Sequence, residues 1–429
     1  MMKDLNISVK HLTRVEGHGN IEVDIKNGEI LKCQLDIVEA PRFFEAMVRG
    51  KSYFEVPHIT SRICGICSIG HTFASIQAVE DAFDFKPDET TMLLRKLLLH
   101  GETLQSHTLH IYFLAAPDFL KAPSVFPLLN THPDVVKRAL RMKWLANYIC
   151  DKIGGRTVHP ISTRPGGFTK YPTKESLLDL KEKLTKGIED LNETVKLFKT
   201  LKMPEFERKT EFISLKSVNE YPFYDGDLLS SEGYSVSKKE YRKVTNEFIV
   251  KHSTAKHCKA KLDSIMVGAL ARVNNNFNLL NKEAKAAATE LNFKPICYNP
   301  FMNNIAQLIE IVHAHYDSIR LIDLLLDCDL STPSYDITPK AGEGVGAVEV
   351  PRGILYHNYI FDEKGKLVKA NCIIPTNQNL ENIDLDMKAL VPKILDKSKE
   401  EITLLLEMLV RAYDPCISCS THLLNVSFK

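Results

Sequence analysis

The sequence predicts an α+β fold that is mostly α, in which a core bundle of long helices carries small antiparallel β-sheets or hairpins at its periphery. Three observations support this prediction. Apolar and polar side chains alternate in the first 40 residues, a helical period takes over from about Thr60, and strand character returns near residues 342–375. The 429 residues suffice for one large core or two fused cores. We expect one domain that spans residues 1–429.

The alternating pattern at the N-terminus is interrupted by the segment Lys26-Asn27-Gly28-Glu29. An Asn-Gly pair between two alternating runs favours a tight two-residue turn. A period of two also places every second side chain on one face of a strand. This region is therefore predicted to be a small antiparallel sheet.

The helical period begins close to a cysteine motif. Between Gly70 and Phe83, apolar residues recur at helical spacing, at Phe73, Ile76, Val79 and Ala82. Similar patterns predict further helices at about 88–115, 134–153, 174–200, 237–251, 301–328 and 398–412. Several of these segments are apolar on too many sides to be surface helices, so we expect them to form a bundle core.

Two segments depart from the helical pattern. Residues 202–235 are richer in Pro, Gly, Tyr and Asp and have no sustained period, which predicts a peripheral insertion or loop. Residues 342–375 return to strand character around a turn at 362–365. This second hairpin is expected to carry Arg352 on one arm, with Pro375 and Thr376 just past the other.

The composition excludes some classes of partner. The chain has 55 basic and 54 acidic side chains, a formal net charge of +1, which gives no reason to expect a nucleic acid or an anionic membrane as partner. No uncharged run reaches the 18 or so residues that a membrane span needs, and the first residues lack an apolar signal core. We therefore expect no membrane span and a cytoplasmic location.

Two short cysteine motifs near opposite ends of the chain are its most informative features. They are Arg62-Ile-Cys64-Gly-Ile-Cys67-Ser-Ile-Gly-His71 and Asp414-Pro-Cys416-Ile-Ser-Cys419-Ser-Thr-His422. A C-x-x-C pair lets two thiolates bind one soft metal, and two pairs supply a tetrathiolate site. Cys64 and Cys416 stand 352 positions apart, whereas zinc ribbons keep their pairs within a few tens of residues. A structural zinc site is the alternative, but it explains neither this spacing nor the accompanying Arg, Asp and His residues.

Six further cysteines are scattered among mostly apolar neighbours, at positions Cys33, Cys150, Cys258, Cys297, Cys328 and Cys372. Buried reduced thiols are the expected state of such residues. They do not form the ligand set of an iron–sulfur cluster. If the metal bound by the two motifs is a redox centre, a chain of further redox centres must carry its electrons away. Such a relay would then be expected on another polypeptide.

The two motifs resemble those of the large subunits of NiFe hydrogenases, which read R-x-C-G-x-C-x-x-x-H and D-P-C-x-x-C-x-x-H. Further matches to that family lie in order along the chain, so the resemblance spans nearly all of it. They are Arg14-Val-Glu16-Gly-His18, Arg42-Phe-Phe-Glu45, Ser106-His107-Thr-Leu-His110 followed by Asp118, Pro351-Arg352-Gly353 and Cys372-Ile-Ile-Pro375-Thr376.

The resemblance implies a nickel–iron centre in which the iron carries one carbonyl and two cyanide ligands. Cys64 and Cys416 would be terminal nickel ligands, and Cys67 and Cys419 would bridge nickel to iron. In the cofactor pocket, Arg352 and Thr376 would contact the cyanides, and His71 would form a hydrogen bond to a bridging thiolate. Pro375 would also be a cofactor-binding residue.

The resemblance also implies heterolytic cleavage of H2. The proton would go to the terminal thiolate of Cys416, with Arg352 assisting. Asp118 and Asp414 would orient Arg352 through charge-assisted hydrogen bonds. Glu16 resembles the first carboxylate of the family's proton relay.

A magnesium-type ion is implied near the C-terminus, held by Glu45, His422 and the main-chain carbonyl of Cys372. Members of the family are made as precursors, and an endopeptidase cuts after the histidine that corresponds to His422. Residues 423–429 are therefore expected to be a maturation propeptide.

The remaining histidines are given no metal-binding role. His107 and His110 are predicted to lie in the interior or at a subunit contact. The pairs His252/His257 and His313/His315 have no counterpart in the resemblance.

The resemblance as a whole implies the catalytic large subunit of a cytosolic NiFe hydrogenase that works with an iron–sulfur small subunit. The ending Tyr-Asp-Pro-Cys-Ile-Ser-Cys is most similar to the alpha subunits of bidirectional NAD(P)-linked hydrogenases, or sulfhydrogenases, which also have iron–sulfur and flavin diaphorase subunits. Hydrogenases that reduce a deazaflavin or serve a heterodisulfide reductase are the alternatives. A non-catalytic scaffold, like the related subunit of respiratory complex I, would lack the four cysteines.

Overall fold

The computed structural model describes residues 4–331 and 337–422. The N-terminal region forms the antiparallel sheet of β1 (Leu5–Val9), β2 (Gly19–Lys26) and β3 (Glu29–Ile37), in sequence order. Asn27 and Gly28 have φ values of +50° and +81°, as the predicted tight turn requires. The predicted propeptide at 423–429 lies outside the described residues.

The remaining strands form small sheets distributed along the chain, and the order β12-β13-β14 makes a second antiparallel sheet. Their bounds are β4 (Thr163–Arg164), β5 (Gly167–Phe168), β6 (Glu211–Lys216), β7 (Asp227–Ser230), β8 (Ser235–Val236), β9 (Asn246–Phe248), β10 (His257–Lys259), β11 (Ile265–Met266), β12 (Gly342–Val350), β13 (Gly353–Phe361) and β14 (Leu367–Ile373).

The helices account for most of the core. Their bounds are α1 (Phe44–Met47), α2 (Val56–Thr60), α3 (Ser68–Ala82), α4 (Glu89–Leu109), α5 (Ala116–Phe119), α6 (Val125–Thr131), α7 (Pro133–Gly154), α8 (Lys174–Thr200), α9 (Ala269–Asn276), α10 (Lys282–Glu290), α11 (Asn303–Leu326), α12 (Pro375–Leu390), α13 (Lys399–Ala412) and α14 (Ile417–Ser420).

The predicted helical core is confirmed. α4 packs on α7 and α11, and α8 packs on α7 and α11. α4 continues into a π-helical segment at His110–Ala115, so the helical run ends where the period predicted. The ends of these helices use ordinary caps: Asp88 and Thr173 accept backbone N–H groups at the starts of α4 and α8. The fold class is therefore α+β and mostly α, as the sequence indicated.

Helix α3 lies directly against strand β12. Gly342, Gly344 and Gly346 alternate along β12 and so share the face toward the helix. A Cβ atom at any of the three would clash with a main-chain carbonyl of α3, at Ala82, Ala78 and Ala74. The glycines therefore allow the strand to touch the helix backbone, and this contact fixes α3 relative to the second sheet.

Two predictions about secondary structure are wrong. The helix predicted at 237–251 is a short 3₁₀ helix, Lys238–Lys243, followed by strand β9. β-Branched residues such as Val244 and Thr245 follow it, and they favour extended structure. The segment 202–235 was predicted as a peripheral insertion or loop. It is not a loop, because it contains the buried strand β6 at an inner position of the sheet β11-β6-β7-β8.

The position of Arg352 also differs from the prediction. Residues 362–365 do form a hairpin turn, between β13 and β14, but Arg352 lies in a second turn that joins β12 to β13. Gly353 follows with a φ of +135°, close against Gly268. Helix α12 was not predicted at all, because its buried face is largely polar, with Asn377, Gln378, Asn379, Asn382, Asp384 and Asp386.

The cysteines outside the motifs are free thiols in the structure. Four are buried, namely Cys33, Cys150, Cys258 and Cys372, while Cys297 and Cys328 are half-buried. Burial raises the pKa of Cys33 to about 12, with Asp384 adding to the effect. In the described part of the chain, no helix combines the length and apolar character that a membrane crossing requires.

Candidate metal centre

The four motif cysteines meet at one buried place. The Sγ atoms of Cys64 and Cys416 are 3.6 Å apart, and those of Cys64, Cys67 and Cys419 all lie within 4.8 Å of one another. The sulfurs of Cys416 and Cys419 are in contact, at 2.50 Å. All four side chains are buried. Four soft donors gathered from both ends of the chain fit a thiolate-bound metal centre.

The first cysteine pair lies at the start of α3. Cys64 follows a 3₁₀ turn, Ser61–Ile63, and Cys67 is the residue just before the helix. The Cys64 sulfur accepts the backbone N–H groups of Ile66 and Cys67, each at 3.2 Å. The pKa of Cys64 is lowered to about 7. The hydrogen bond from the Cys67 thiol contributes most, and Arg352 and these two amides also lower the pKa, whereas burial raises it. Cys64 is therefore readily converted to the thiolate that binds metal.

Arg42 connects the two cysteine loops. Its guanidinium donates to the main-chain carbonyl of Ile63, just before Cys64, at 2.8 Å. It also donates through Nε to the carbonyl of Ser418, just before Cys419, at 3.1 Å. Arg42 was noticed in the sequence only as part of a matching segment. Its role depends on two carbonyls from distant parts of the chain, which no sequence pattern predicts.

Glu16 touches the second cysteine pair directly. The Cys416 thiol donates to Oε2 of Glu16 at 3.2 Å, and the Ser418 N–H donates to the same oxygen at 3.1 Å. The Ser418 hydroxyl donates to Oε1. The Ile417 N–H also donates to the Glu16 carbonyl at 2.9 Å, which joins the two segments along their backbones. The half-buried Glu16 thus connects the sulfur site with the outer part of the protein.

Arg352 and Asp414 form a buried pair beside the sulfurs. Arg352 donates through Nε to the Asp414 carbonyl at 2.6 Å and through Nη2 to Oδ1 at 2.8 Å. Burial lowers the pKa of Arg352, but Asp414 and the nearby Cys67 and Cys64 raise it by more, so the net shift is upward. A fixed positive charge therefore faces the cysteines, as predicted for Arg352 and Asp414.

Helix α11 supports this pair from behind. Gln307 donates to Oδ2 of Asp414 at 3.1 Å, and its own oxygen contacts Nδ1 of His110 at 2.5 Å. The other ring nitrogen of His110 faces the carbonyl of Arg411 at 2.8 Å. The prediction that His110 is an interior residue is confirmed, and its hydrogen bonds help to place Asp414.

A second set of buried charges holds the turn before Arg352. Arg272 donates to the carbonyls of Val350 and Pro351 at 2.9 and 3.0 Å. Its guanidinium is paired with both oxygens of Glu310, each at 2.6 Å. His107, predicted to be interior, contacts Glu310 at 2.8 Å. The side chains of Arg272, Glu310 and His107 are all buried, so the turn is fixed by an interior network.

The prediction that Asp118 orients Arg352 is wrong. Asp118 accepts from Arg411 through Nε at 2.8 Å and through Nη2 at 3.0 Å. It also accepts from Arg14, two residues before Glu16. These two guanidiniums occupy both carboxylate oxygens, whereas Arg352 donates to Asp414 instead. Asp118 therefore joins the N-terminal segment of Glu16 to the helix that leads into the second cysteine motif.

The first turn of α12 lies beside Cys416. The Thr376 hydroxyl accepts a hydrogen bond from the Cys416 N–H at 2.9 Å. Pro375 is the first residue of the helix, and both Pro375 and Thr376 are buried. The N-terminus of a helix carries partial positive charge, which favours anionic groups nearby. The first turn of α12 therefore contacts the second cysteine motif through Thr376.

The residues predicted to bind a magnesium-type ion are partly gathered. Glu45 accepts the N–H of Cys372 at 2.7 Å, so the structure shows a contact to the amide rather than through the carbonyl of Cys372. Burial raises the pKa of Glu45, and this effect outweighs the lowering by that hydrogen bond. Both ring nitrogens of His422 are buried and, among the described residues, without a hydrogen-bond partner. Unpartnered nitrogens of this kind fit a cation ligand.

His71 differs from its predicted role at a bridging thiolate. Its Nδ1 lies 3.1 Å from Nε2 of His357, and in the described part of the structure its Nε2 has no hydrogen-bond partner. Burial, with His357 next in effect, lowers the pKa of His71 well below its ordinary value. His71, at the end of the first cysteine motif, is therefore a neutral imidazole that pairs with His357.

Glu102 is a functional candidate that the sequence reasoning missed. It is buried on α4 and accepts the N–H groups of Ile69 and Gly70, at 2.7 and 3.0 Å, at the start of α3. Burial raises the pKa of Glu102 to about 8, and the nearby Cys64 adds to the effect. The only sequence signal was an acidic residue inside an apolar helical run.

Comparison with known proteins identifies the family. The family described as "Nickel-dependent hydrogenase" matches residues 42–133 and 224–422, and a family described as "HoxL-like" matches residues 6–40. The alpha subunit of sulfhydrogenase 1 from Pyrococcus furiosus is 35% identical over 424 residues, covering 98% of this chain and 99% of the relative. An F420-non-reducing hydrogenase chain of Methanothermobacter marburgensis is 30% identical over 466 residues, covering 99% and 96%.

A solved structure also identifies this chain as a hydrogenase subunit. An NAD+-reducing [NiFe]-hydrogenase in the H2-reduced state superposes with a TM-score of 0.88 at 26% identity, covering 97% of this chain and 99% of that one. The chain therefore belongs to the nickel-dependent hydrogenase family as a large, catalytic subunit. It is an oxidoreductase that acts on H2 at a nickel and iron centre. The resemblance inferred from the motifs is confirmed.

Proposed function

We propose that this chain cleaves H2 reversibly into protons and electrons at a nickel–iron centre bound by Cys64, Cys67, Cys416 and Cys419. The observation that carries this proposal is the convergence of four buried sulfurs from both ends of the chain. Cys64 and Cys416 would be ligands of nickel alone, and Cys67 and Cys419 would be ligands of both nickel and iron. When bound, the centre supplies the Lewis acidity and the redox capacity that splitting H2 requires.

Cys416 and Glu16 move the proton. Cys416 would hold the proton first: as a thiolate it would act as the base, and once protonated its thiol donates to Glu16, as the structure has it. Glu16 accepts the proton at Oε2 over 3.2 Å, a distance that suits direct transfer. The Ser418 N–H holds the carboxylate in place during this step.

Arg352 and Asp414 shape the electrostatics. The Arg352 guanidinium is held by two hydrogen bonds to Asp414, so it keeps its orientation while charge at the sulfurs changes. Burial excludes water and strengthens its interaction with the thiolates. We assign one carbonyl and two cyanide ligands to the iron; Arg352 and Thr376 would donate to the cyanides, and Pro375 would line the pocket.

The second cation site is assigned to magnesium. Glu45, His422 and the main-chain carbonyl of Cys372 would hold it, and the two unpartnered nitrogens of His422 support this assignment. An endopeptidase that cuts after His422 would remove residues 423–429 during maturation.

The electrons leave through another subunit. The free cysteines of the described residues are scattered, and none of them forms a further cluster site with its neighbours. We therefore assign the relay to an iron–sulfur small subunit, followed by iron–sulfur and flavin diaphorase subunits in the cytoplasm. There, two electrons and one proton reduce NAD(P)+ to NAD(P)H. The similarity to an NAD+-reducing enzyme and to sulfhydrogenase alpha subunits supports this acceptor over a deazaflavin or a heterodisulfide.

The test uses the native complex purified without oxygen. One nickel per chain, together with H2-dependent reduction of NAD(P)+, is the expected result. Reduction of an artificial dye without any reduction of NAD(P)+ would support the assignment as a hydrogenase but exclude NAD(P)+ as the electron acceptor. Zinc in place of nickel and iron in a properly matured complex would exclude the assigned centre.

A further inference from the structure

A second group of metal-ligating side chains lies away from the cysteine site. His252 is in the loop between β9 and β10, His257 is the first residue of β10, and Asp384 is on α12. Their ligand atoms all lie within 4.8 Å of one another. Apart from groups that contain the motif cysteines, no other set of the described residues meets this geometry. The hydrogenase reaction gives these three residues no role.

His257 is the strongest element of this group. It is fully buried, and its Nδ1 lies 2.8 Å from Oε2 of Glu381. Its Nε2 is buried and, within the described ranges, has no hydrogen-bond partner. A carboxylate on Nδ1 fixes the proton there and leaves Nε2 as a lone pair for a metal, which is the usual arrangement around a histidine ligand of zinc. A buried imidazole nitrogen left without any partner would otherwise cost free energy.

The other two residues complete the site. Asp384 accepts the Leu35 N–H at Oδ1, at 2.8 Å, and its Oδ2 lies 2.9 Å from Nε2 of His252. Glu381 and Asp384 are three positions apart, so they share one face of α12. Zinc bonds of 2.0–2.2 Å place tetrahedral ligand atoms about 3.4 Å apart. Side-chain rotations that move the ligand atoms by up to about 1.5 Å would therefore bring all three to the separations that one ion requires.

The donor set and the local charge favour zinc. Two imidazoles and one carboxylate are typical of zinc sites that leave the fourth position to water. The side chain of His252 is 21% exposed, so water can reach that position. Two carboxylates, Asp384 and Glu381, face the site, and Lys388 is the nearby cation. Magnesium, which prefers oxygen ligands, would not select two imidazoles.

We propose that His252, His257 and Asp384 form a zinc-binding site, with Glu381 orienting His257. The site is independent of the nickel–iron centre and of the proposed electron acceptor. A bound ion would join the β9–β10 hairpin to α12, and through Asp384 to the N-terminal sheet. Its effect is therefore on the cohesion of these three elements rather than on H2 chemistry.

The experiment measures zinc in the native, nickel-loaded complex after equilibration with zinc and removal of the excess. We expect one zinc per chain in addition to the nickel and iron. His257→Gln and Asp384→Asn should lose it, and Glu381→Gln should bind zinc 10–100-fold more weakly. The exposed His132→Gln is the matched control and should keep the zinc. Nickel, iron and H2 turnover should be unchanged in all four variants.

Cobalt as the probe separates this site from the cysteines. Co2+ at His252, His257 and Asp384 should show visible d–d bands without the intense thiolate-to-cobalt absorption of a cysteine site. Absence of stoichiometric zinc in the wild-type complex, or wild-type zinc content in His257→Gln, would overturn the proposal. In that case the residues are hydrogen-bonded pairs only.

Discussion

The thiol of Cys416 donates to Oε2 of Glu16 at 3.2 Å, although the two residues are 400 positions apart in the chain. The contact is held from both sides. The Ile417 N–H binds the Glu16 carbonyl, and the Ser418 N–H binds the same carboxylate. The proton route that we propose, from Cys416 to Glu16, therefore follows the pairing of the N-terminal segment with the second cysteine motif.

The first prediction concerns this contact. Glu16→Gln keeps the shape of the side chain but removes the group that accepts the proton. Exchange of H2 with solvent deuterons should slow by about 10²–10⁴-fold, while nickel and iron content stay at the wild-type level. Isotope exchange measured by mass spectrometry, beside metal analysis, checks this. Glu29→Gln, at the exposed start of β3, is the control. An unchanged exchange rate in Glu16→Gln would place the relay elsewhere.

The second prediction concerns Arg352. Arg352→Lys keeps a positive charge, but a single ammonium cannot make both the Nε and the Nη2 hydrogen bonds to Asp414. We expect turnover to fall about 10²-fold, as when one positioned donor is lost from an active site. The exposed Arg156→Lys should leave turnover unchanged. Wild-type kinetics in Arg352→Lys would show that only the charge matters.

The third prediction tests the revised role of Asp118. Asp118→Asn leaves the buried guanidinium of Arg411 without its counter-charge and weakens the contact to Arg14. Breaking a buried pair in this way costs about 3–5 kcal/mol of unfolding free energy. Chemical denaturation of wild type and variant measures the difference. Asp323→Asn, from an exposed pair with Lys181, should cost less than about 1 kcal/mol, and an equally small effect at Asp118 would refute the structural role.

The fourth prediction is a pH dependence at Glu310. Burial raises the pKa of Glu310, but Arg272 and His107 lower it by more, so it falls to about 2. A carboxyl group with a depressed pKa stabilises the fold above its unfolded pKa of 4.5, and that stability is lost as the pH falls toward 2. Glu310→Gln should therefore be less stable than wild type at pH 7.

The size of that deficit should depend on pH. The lowered pKa of Glu310 corresponds to about 3 kcal/mol of unfolding free energy at neutral pH. Of this contribution, roughly 1 kcal/mol is lost between pH 7 and pH 3.5. Urea unfolding at both pH values measures it. Glu182→Gln, from an exposed pair with Lys186, is the control, and its change should be much smaller. A deficit that grows on acidification would contradict the assigned ion pair.

The sequence predicted the fold where hydrophobic period and length agreed. Segments such as 174–200 and 398–412 have a clear helical period, and the structure has helices at Lys174–Thr200 and Lys399–Ala412. Helix α12 was missed because its buried face consists of amides and carboxylates that bind other parts of the chain. Strand β6 was missed because it is buried on both faces and short, so it shows no alternation.

The site was predicted only as far as motifs extend. The four cysteines, Glu16 and Arg352 belong to short matching segments, and the structure brings them together. The residues that hold them in place were missed or misassigned, because their partners are distant in sequence. Arg42 binds two carbonyls, Arg272 binds the turn before Arg352, and Asp118 binds Arg411 rather than Arg352.

The most direct test of the account is the infrared spectrum of the purified native complex, compared with that of Cys419→Ser. Carbonyl and cyanide groups absorb where protein does not. The account predicts one carbonyl and two cyanide stretching bands with one nickel per chain in the wild type. In Cys419→Ser, where a hydroxyl replaces a bridging thiolate, the bands and H2 turnover should both be lost. A wild-type complex with zinc and no such bands, or full H2 turnover in Cys419→Ser, would contradict the nickel–iron centre assigned to these cysteines.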